Sequence, residues 1–359
     1  MVLSPHALRA GVLTLIVAAP VLQASGDPVY AVVATVPAAV NGRFVHSFVF
    51  DPDQQVLYAA SDDGLLHVDL RAERPRLEGP VFDRKMYQLE FAPDLGRLFF
   101  LARDPDLVGY VDVRRPGARP VVLASGVRGS DLAYEPERQE VYVAFARRPT
   151  VLVFDARSAA PNAVVELPGW FATGLEATRG TVFAMLGDVP GLFAIDAATH
   201  QAAAWPVKGR VSTPAQIEAD PTGRYLFLAW NREFAAIDIA TATVLGRVVT
   251  ATRPTIAFDV DTGQLIASWT DESPGPTQHL VTYDVGPDGL RERARLDEGR
   301  NHGIGESFDH GFVQRGSDWS IWRGVTPIPS AATAAPSARA GGSRPGRTRP
   351  SSARPSPRR

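Results

Sequence analysis

The chain has 359 residues, of which 45% are hydrophobic and 21% charged, with a formal net charge of -2 and no cysteine. That length holds two average domains or one large repeat domain, with ample apolar chain to build a core. The missing cysteines exclude disulfides, thiolate nucleophiles and thiolate metal sites together.

In chain order, the first element is a processing signal. Arg9 precedes the apolar run GVLTLIVAAPVL, and the small residues Ala24, Ser25 and Gly26 follow it. The run is short for a bilayer span, so residues 1–26 read as a secretory signal peptide. The mature protein is expected to be exported, periplasmic or extracellular. Next comes VYAVVATVP (29–37), a strand pattern with no partner of its own.

A phrase then recurs six times: an apolar stretch, an Asp-Pro-like turn, a second apolar stretch, a polar turn, and a third stretch ending in Asp. FVFDPDQQVLYAASDDGLLHVDL is the first copy and IEADPTGRYLFLAWNREFAAIDI the fifth. The closing residues Asp69, Asp112, Asp155, Asp196, Asp238 and Asp284 are spaced by 43, 43, 41, 42 and 46. Short runs rich in Val, Leu, Phe and Tyr between Asp, Pro and Gly are strand-and-hairpin chemistry. A weaker fourth stretch follows each Asp, such as RPVVLAS or NAVVELP.

A period near forty with four antiparallel strands per copy predicts an all-β, seven-bladed β-propeller. The seventh copy is degenerate: after LRERARLD comes NHGIGESFDHGFVQRGSDWSIWRGV, which lacks a fourth strand. Residues 29–37 are expected to supply it, so that the N-terminal strand closes the ring and removes two sheet edges. The propeller is thus assigned to 27–329.

Residues 330–359 are Pro-, Ser-, Ala-, Gly- and Arg-rich and are expected to be disordered. The last 23 residues carry seven Arg and no acid; without them and Arg9 the net charge moves from -2 to -10. An acidic body argues against nucleic acid as a partner, while the tail is suited to weak contact with anionic surfaces. A monomer is expected.

The copies resemble those of YVTN-type β-propeller repeat proteins, related in architecture to the lactonase-like seven-bladed propellers. The resemblance rests on the strands after the turn (QVLYAAS, RLFFLAR, EVYVAFA, RYLFLAW), the closing strands (HVDL, YVDV, VFDA, AIDA, AIDI, TYDV) and VVATVP near the N-terminus. It covers roughly residues 29–325, although the YVTN tetrapeptide itself is absent. It implies the propeller fold. The family includes surface proteins, ligand-binding proteins and some enzymes, so no single activity is implied.

Aligning the innermost strands on Phe50, Phe91, Tyr134, Ala177, Ala219, Phe258 and Phe308 separates two faces. Two positions earlier stand Phe48, Leu89, Leu132, Leu175, Ile217, Ile256 and Glu306, a core face broken only by the last. The alternate positions carry small or polar residues and face the central channel. The binding candidates there are Gln88, Glu90, Asp131, Glu176, Gln216 and Glu218; Glu306, the polar break in the core face, joins them, with His46 and His302 near the mouth. Gathered carboxylates suit a hard cation such as calcium or a cationic ligand, and they can act as an acid/base group. The simplest alternative is that polar channel walls bind only water. Asp271 and Glu272, in the lengthened sixth-copy hairpin, are a further candidate calcium or partner contact. The closing Asp of each copy reads as turn chemistry, accepting backbone N–H bonds.

There is no Walker loop, Rossmann fingerprint, HExxH or GxSxG. The resulting expectation is a non-enzymatic exported scaffold with a protein or small-molecule partner at the channel mouth. The alternative is a lactonase-like hydrolase or lyase using channel carboxylates and a divalent cation.

Overall fold

The structure is a computed structural model. It describes residues 12–22, 28–39, 45–51, 53–69, 71–72, 77–169, 172–209, 216–259, 262–271, 277–299, 304–305, 310–315 and 318–323. The described residues form strands and turns, with no helix among them.

Six sheets have four strands each, paired antiparallel in sequence order. Their innermost strands are Val45–Asp51, Met86–Ala92, Gly129–Glu135, Ala172–Thr178, Gln216–Ala219 and Thr255–Asp259, and each lies beside the next. This is the arrangement of propeller blades, and each blade coincides with one copy of the repeated phrase. The closing Asp of each copy ends, or in the sixth nearly ends, the third strand: Gly64–Asp69, Leu107–Asp112, Thr150–Asp155, Leu192–Asp196, Glu233–Asp238 and Thr277–Gly286. The weak fourth stretches are real outer strands, Val121–Ser125 and Pro161–Glu166 among them.

Burial explains why the stretches read so differently. The second strands, such as Val56–Ser61, Glu140–Phe145 and Tyr225–Trp230, are buried along their whole length. A strand covered on both faces by neighbouring blades needs no polar alternation, and QVLYAAS or RYLFLAW has none. The outer strands are wet, and Val122 and Val164 keep 54% and 59% of their surface exposed. The core therefore lies between blades: Phe99 stacks on Tyr134 at 6.5 Å, and Phe227 on Phe258 at 5.3 Å.

The seventh copy falls in a five-stranded sheet. Ile304–Gly305, His310–Arg315 and Asp318–Arg323 form its hairpins, which match the expected skeleton. Pro28–Ala39 is its outermost strand, yet it does not pair with the hairpins directly. Val12–Leu22 intervenes, parallel to Asp318–Arg323 and antiparallel to Pro28–Ala39. An apolar segment rich in Val, Leu and Ile has strong strand propensity and fills an open edge. His302, Glu306 and Glu272 lie outside the described residues, as does the tail.

In the first five blades the closing Asp is a turn clamp, whereas Asp284, inside its strand, accepts the Gln264 amide at 2.9 Å instead. Asp155 Oδ1 accepts the N–H groups of Arg157 (3.0 Å) and Ser158 (2.5 Å) and the Ser158 hydroxyl (2.8 Å). Asp196 Oδ1 does the same with Ala198 (2.9 Å) and Thr199 (2.7 Å), and Asp238 Oδ1 with Thr241 (2.8 Å). In the first blade Asp69 accepts the Arg71 N–H and pairs with its guanidinium. The Arg71 side-chain bond holds Asp69 below the usual carboxylate range; the Ser158 and Thr199 N–H bonds do so for Asp155 and Asp196, and the Thr241 hydroxyl for Asp238. A carboxyl depressed in the folded state stabilises above its unfolded value and loses that contribution as pH falls through its folded value. The urea midpoint is therefore expected to hold near neutrality and to decline below about pH 4, where free carboxylates begin to protonate. A midpoint that stays flat down to about pH 3 would contradict the clamp assignment.

Candidate functional site

The inner strands begin irregularly. In four blades the pairing of the first two strands slips by one residue at the same place: between Val45 and Ser47, Met86 and Gln88, Gly129 and Asp131, and Ala172 and Gly174. Each slip is a β-bulge, which re-aims the side chains around it. The bulged residues are His46, Tyr87, Ser130 and Thr173, and the residues after them are the channel-facing positions of the sequence alignment.

Those side chains reach the next blade. Ser47 accepts the Leu89 N–H (3.3 Å), Asp131 Oδ2 accepts the Leu175 N–H (2.7 Å), and Gln216 Oε1 accepts the Ile256 N–H (3.0 Å). The partner is always the core residue two positions before the alignment point of the following copy. Gln216 also donates to the Ile256 carbonyl (2.6 Å), so its amide grips one residue from both sides. Gln88 donates to Asp131 Oδ1 (2.9 Å).

A second rung lies two residues further on. Glu90 Oε1 accepts the Tyr134 N–H and Glu176 Oε1 the Ala219 N–H, both at 3.1 Å. The bulged residues add a third: the Tyr87 hydroxyl donates to the Gly129 carbonyl and the Ser130 hydroxyl to the Ala172 carbonyl. Beyond the second rung, Glu135, fully buried, accepts the Gly180 N–H (2.9 Å), and Thr178 donates to the Asp220 carbonyl (3.1 Å).

The channel-facing set is therefore a ladder of joints between blades. Inner strands of adjacent blades diverge and cannot share a backbone ladder. A buried or half-buried N–H left over at each strand requires an acceptor, and the side chains supply it. Gln88, Glu90, Asp131, Glu176, Gln216 and Glu218 are all half-buried, and Gln216 also donates to Glu218 at 3.3 Å. Among the described residues no group of three His, Asp or Glu side chains is placed to hold a metal ion.

His46 stands apart. It is exposed at the start of the first inner strand, and its Nε2 lies 3.0 Å from Asp62 Oδ1. Lys85, leading into the second inner strand, lies 2.6 Å from the same oxygen. Burial alone would raise the Asp62 carboxyl, but the Lys85 and His46 hydrogen bonds outweigh it and hold the group below the usual carboxylate range. This His–Asp–Lys cluster sits on the face formed by the second hairpins and the segments that lead into the inner strands. Sequence reasoning missed Asp62 and Lys85. Their signal was positional: one sits at a hairpin tip, the other one residue before an inner strand of the adjacent copy.

No family model matches the chain, and no curated protein is significantly similar to it. Solved structures are. A crystal structure of the mitotic checkpoint complex superposes with a TM-score of 0.62 at 12% identity, covering 78% of this chain and 89% of that one. The RRP9 WD40 repeats give a TM-score of 0.59 at 11% identity, covering 76% and 87%. Hydrazine synthase from Kuenenia stuttgartiensis gives 0.51 at 16% identity, covering 64% and 73%. At these identities the likeness establishes the fold alone, a β-propeller.

Proposed function

We propose that the protein is an exported, non-enzymatic β-propeller of seven blades, related to the YVTN-type repeat proteins, that receives a protein partner at the mouth of its channel. The observation that carries this reading is the division of labour among its polar residues. The channel carboxylates and amides serve the joints between blades, whereas His46, Asp62 and Lys85 form an accessible polar cluster at the mouth. The lactonase-like alternative would draw on the same carboxylates that accept backbone N–H bonds. A propeller within the mitotic checkpoint complex, a protein assembly, supports use of this fold as a scaffold.

Export and ring closure belong to one event in this reading. Removal of residues 1–26 takes Val12–Leu22 out of its place beside Asp318–Arg323, and Pro28–Ala39 moves into the vacated position. The nearness of Pro28–Ala39 to the first blade's outer strand, Leu77–Phe82, fits that completion.

Photo-crosslinking in the native host tests the reading. A crosslinker at position 46 or 62 is expected to trap a discrete protein adduct on exported material whose N-terminus begins at about residue 27. The same crosslinker at the outer-strand positions 122 or 164 is expected to trap none. Adducts confined to the outer strands, or a protein retained inside the cell with residues 1–26 intact, would sink the proposal.

A further inference from the structure

We propose that the mouth face carries a second, cationic docking surface, an arginine arc over the second and third blades that binds an acidic segment of a partner protein. The inference rests on the reading that this face receives a protein.

Three short backbone segments build the arc. The hairpin 103–106 of the second blade contributes Arg103, the segment leading into the third inner strand contributes Arg128, and the hairpin 146–149 of the third blade contributes Arg147 and Arg148. They are tied together. The Ala146 N–H bonds to the Arg128 carbonyl at 3.1 Å, which sets Arg128 beside Arg147. The Gly126 N–H bonds to the Asp106 carbonyl at 2.9 Å, joining the segment to the second-blade hairpin. The Arg103 guanidinium lies 4.3 Å over the Tyr87 ring, and the Tyr87 hydroxyl bonds to Gly129, next to Arg128.

Arg128, Arg147 and Arg148 are exposed, and among the described residues their side chains make no hydrogen bond or ion pair. Some surface arginines do find carboxylates, as Arg71 does with Asp69 and Arg114 with Asp53. Four guanidiniums in these segments face only two carboxylates, Asp104 and Asp106. Arg147 also adopts a φ of 82°, in the left-handed region. The matching hairpins of the second and fifth blades put Asp104 (58°) and Asn231 (29°) there, residue types that tolerate it. Arg147 thus holds a conformation that arginine disfavours.

Charge selects the occupant. Guanidiniums recognise carboxylates bidentately, and a fixed cluster of them is a carboxylate-binding surface. The flanking hairpins bear the opposite sign: Asp62 and Asp63 on the first blade, Asp188 on the fourth. A long anionic polymer would run off the arc onto those carboxylates and across a body whose net charge without tail and Arg9 is -10. A short acidic stretch of a protein confines its charges to the arc.

The test uses the full mature chain and a fluorescent peptide carrying about six consecutive glutamates, read by anisotropy at low and high salt. The wild type is expected to bind it in a salt-sensitive manner, and the combined variant R128Q/R147Q/R148Q about tenfold more weakly. Arg232→Gln, on the matching hairpin of the fifth blade, is expected to stay within about twofold of wild type. Arg147→Gly guards against misfolding: it relieves the backbone strain, so its thermal midpoint is expected to rise while peptide binding weakens. Equal affinity in the combined variant and wild type would overturn the proposal. So would tighter binding of a sulfated polysaccharide or single-stranded DNA of equal charge, or dimerisation of the chain that the combined variant abolishes. A partner crosslinked at position 46 but indifferent to the three arginines would reject the arc and leave the mouth assignment standing.

Discussion

Glu140→Ala is expected to lower the unfolding free energy by about 4 kcal/mol, the range found when a buried charged network loses its central member. Glu140 is 2% exposed and Tyr142 fully buried. The Glu140 carboxylate accepts the Tyr142 hydroxyl (2.8 Å) and the Asn162 amide, and it faces His200 Nε2 at 3.0 and 3.1 Å. Burial first, and then the neighbouring carboxylate, push the Tyr142 hydroxyl well above its ordinary value, so it remains a donor throughout the working pH range. Alanine would leave that hydroxyl buried with nothing to receive its proton, and would unfasten the fourth blade's last turn, which carries His200, from the third blade. Glu140→Gln, which keeps an acceptor, should lose about half as much. The measurement is the urea midpoint at constant slope. A loss below about 1 kcal/mol would mean that water reaches the cluster.

Asp131→Ala is expected to cost about 3 kcal/mol, because two buried or half-buried partners lose their acceptor at once. Asp131 joins three blades: Gln88 from the second donates to one oxygen, and Leu175 of the fourth donates its N–H to the other. Gln88→Ala removes only one of these bonds and should cost about 1 kcal/mol. The double variant should then fall short of the sum, since both changes abolish the same contact. Strict additivity would show that the Gln88–Asp131 bond contributes nothing. The same logic makes removal of Glu90 and Glu176 a perturbation of stability.

The fold was legible because its signals are local and repeated. The Asp spacing marked the third strands, and the unbroken apolar runs marked the strands buried on both faces. Alternation separated Leu89, Leu132, Leu175 and Ile256, all buried, from the polar residues between them. What alternation could not say was where those polar side chains end. Glu90 and Tyr134 are 44 residues apart, and their bond depends on how two blades meet. The bulges that aim Gln88 and Asp131 were equally hidden, since an extra residue in a strand has no compositional mark. Channel position and polarity look alike for a ligand contact and for a joint; only the neighbouring N–H distinguishes them. The N-terminal strand shows the converse limit. Its sequence announced a strand, but the sheet place beside Asp318–Arg323 is contested by Val12–Leu22, which is equally strand-prone.

The joints link residues 40 to 44 positions apart, which is the period of the repeat itself. The acceptor side chain stands at one of two places within a copy, two residues apart, and its donor is a backbone N–H of the next copy. A tandem duplication of one copy would therefore arrive with its fastenings in register on both sides, and a clean excision would rejoin the two flanking copies by the same bonds. Lineages built on this unit can change their number of blades without inventing a new interface, while the hairpin tips, which take no part in the joints, are left to diverge.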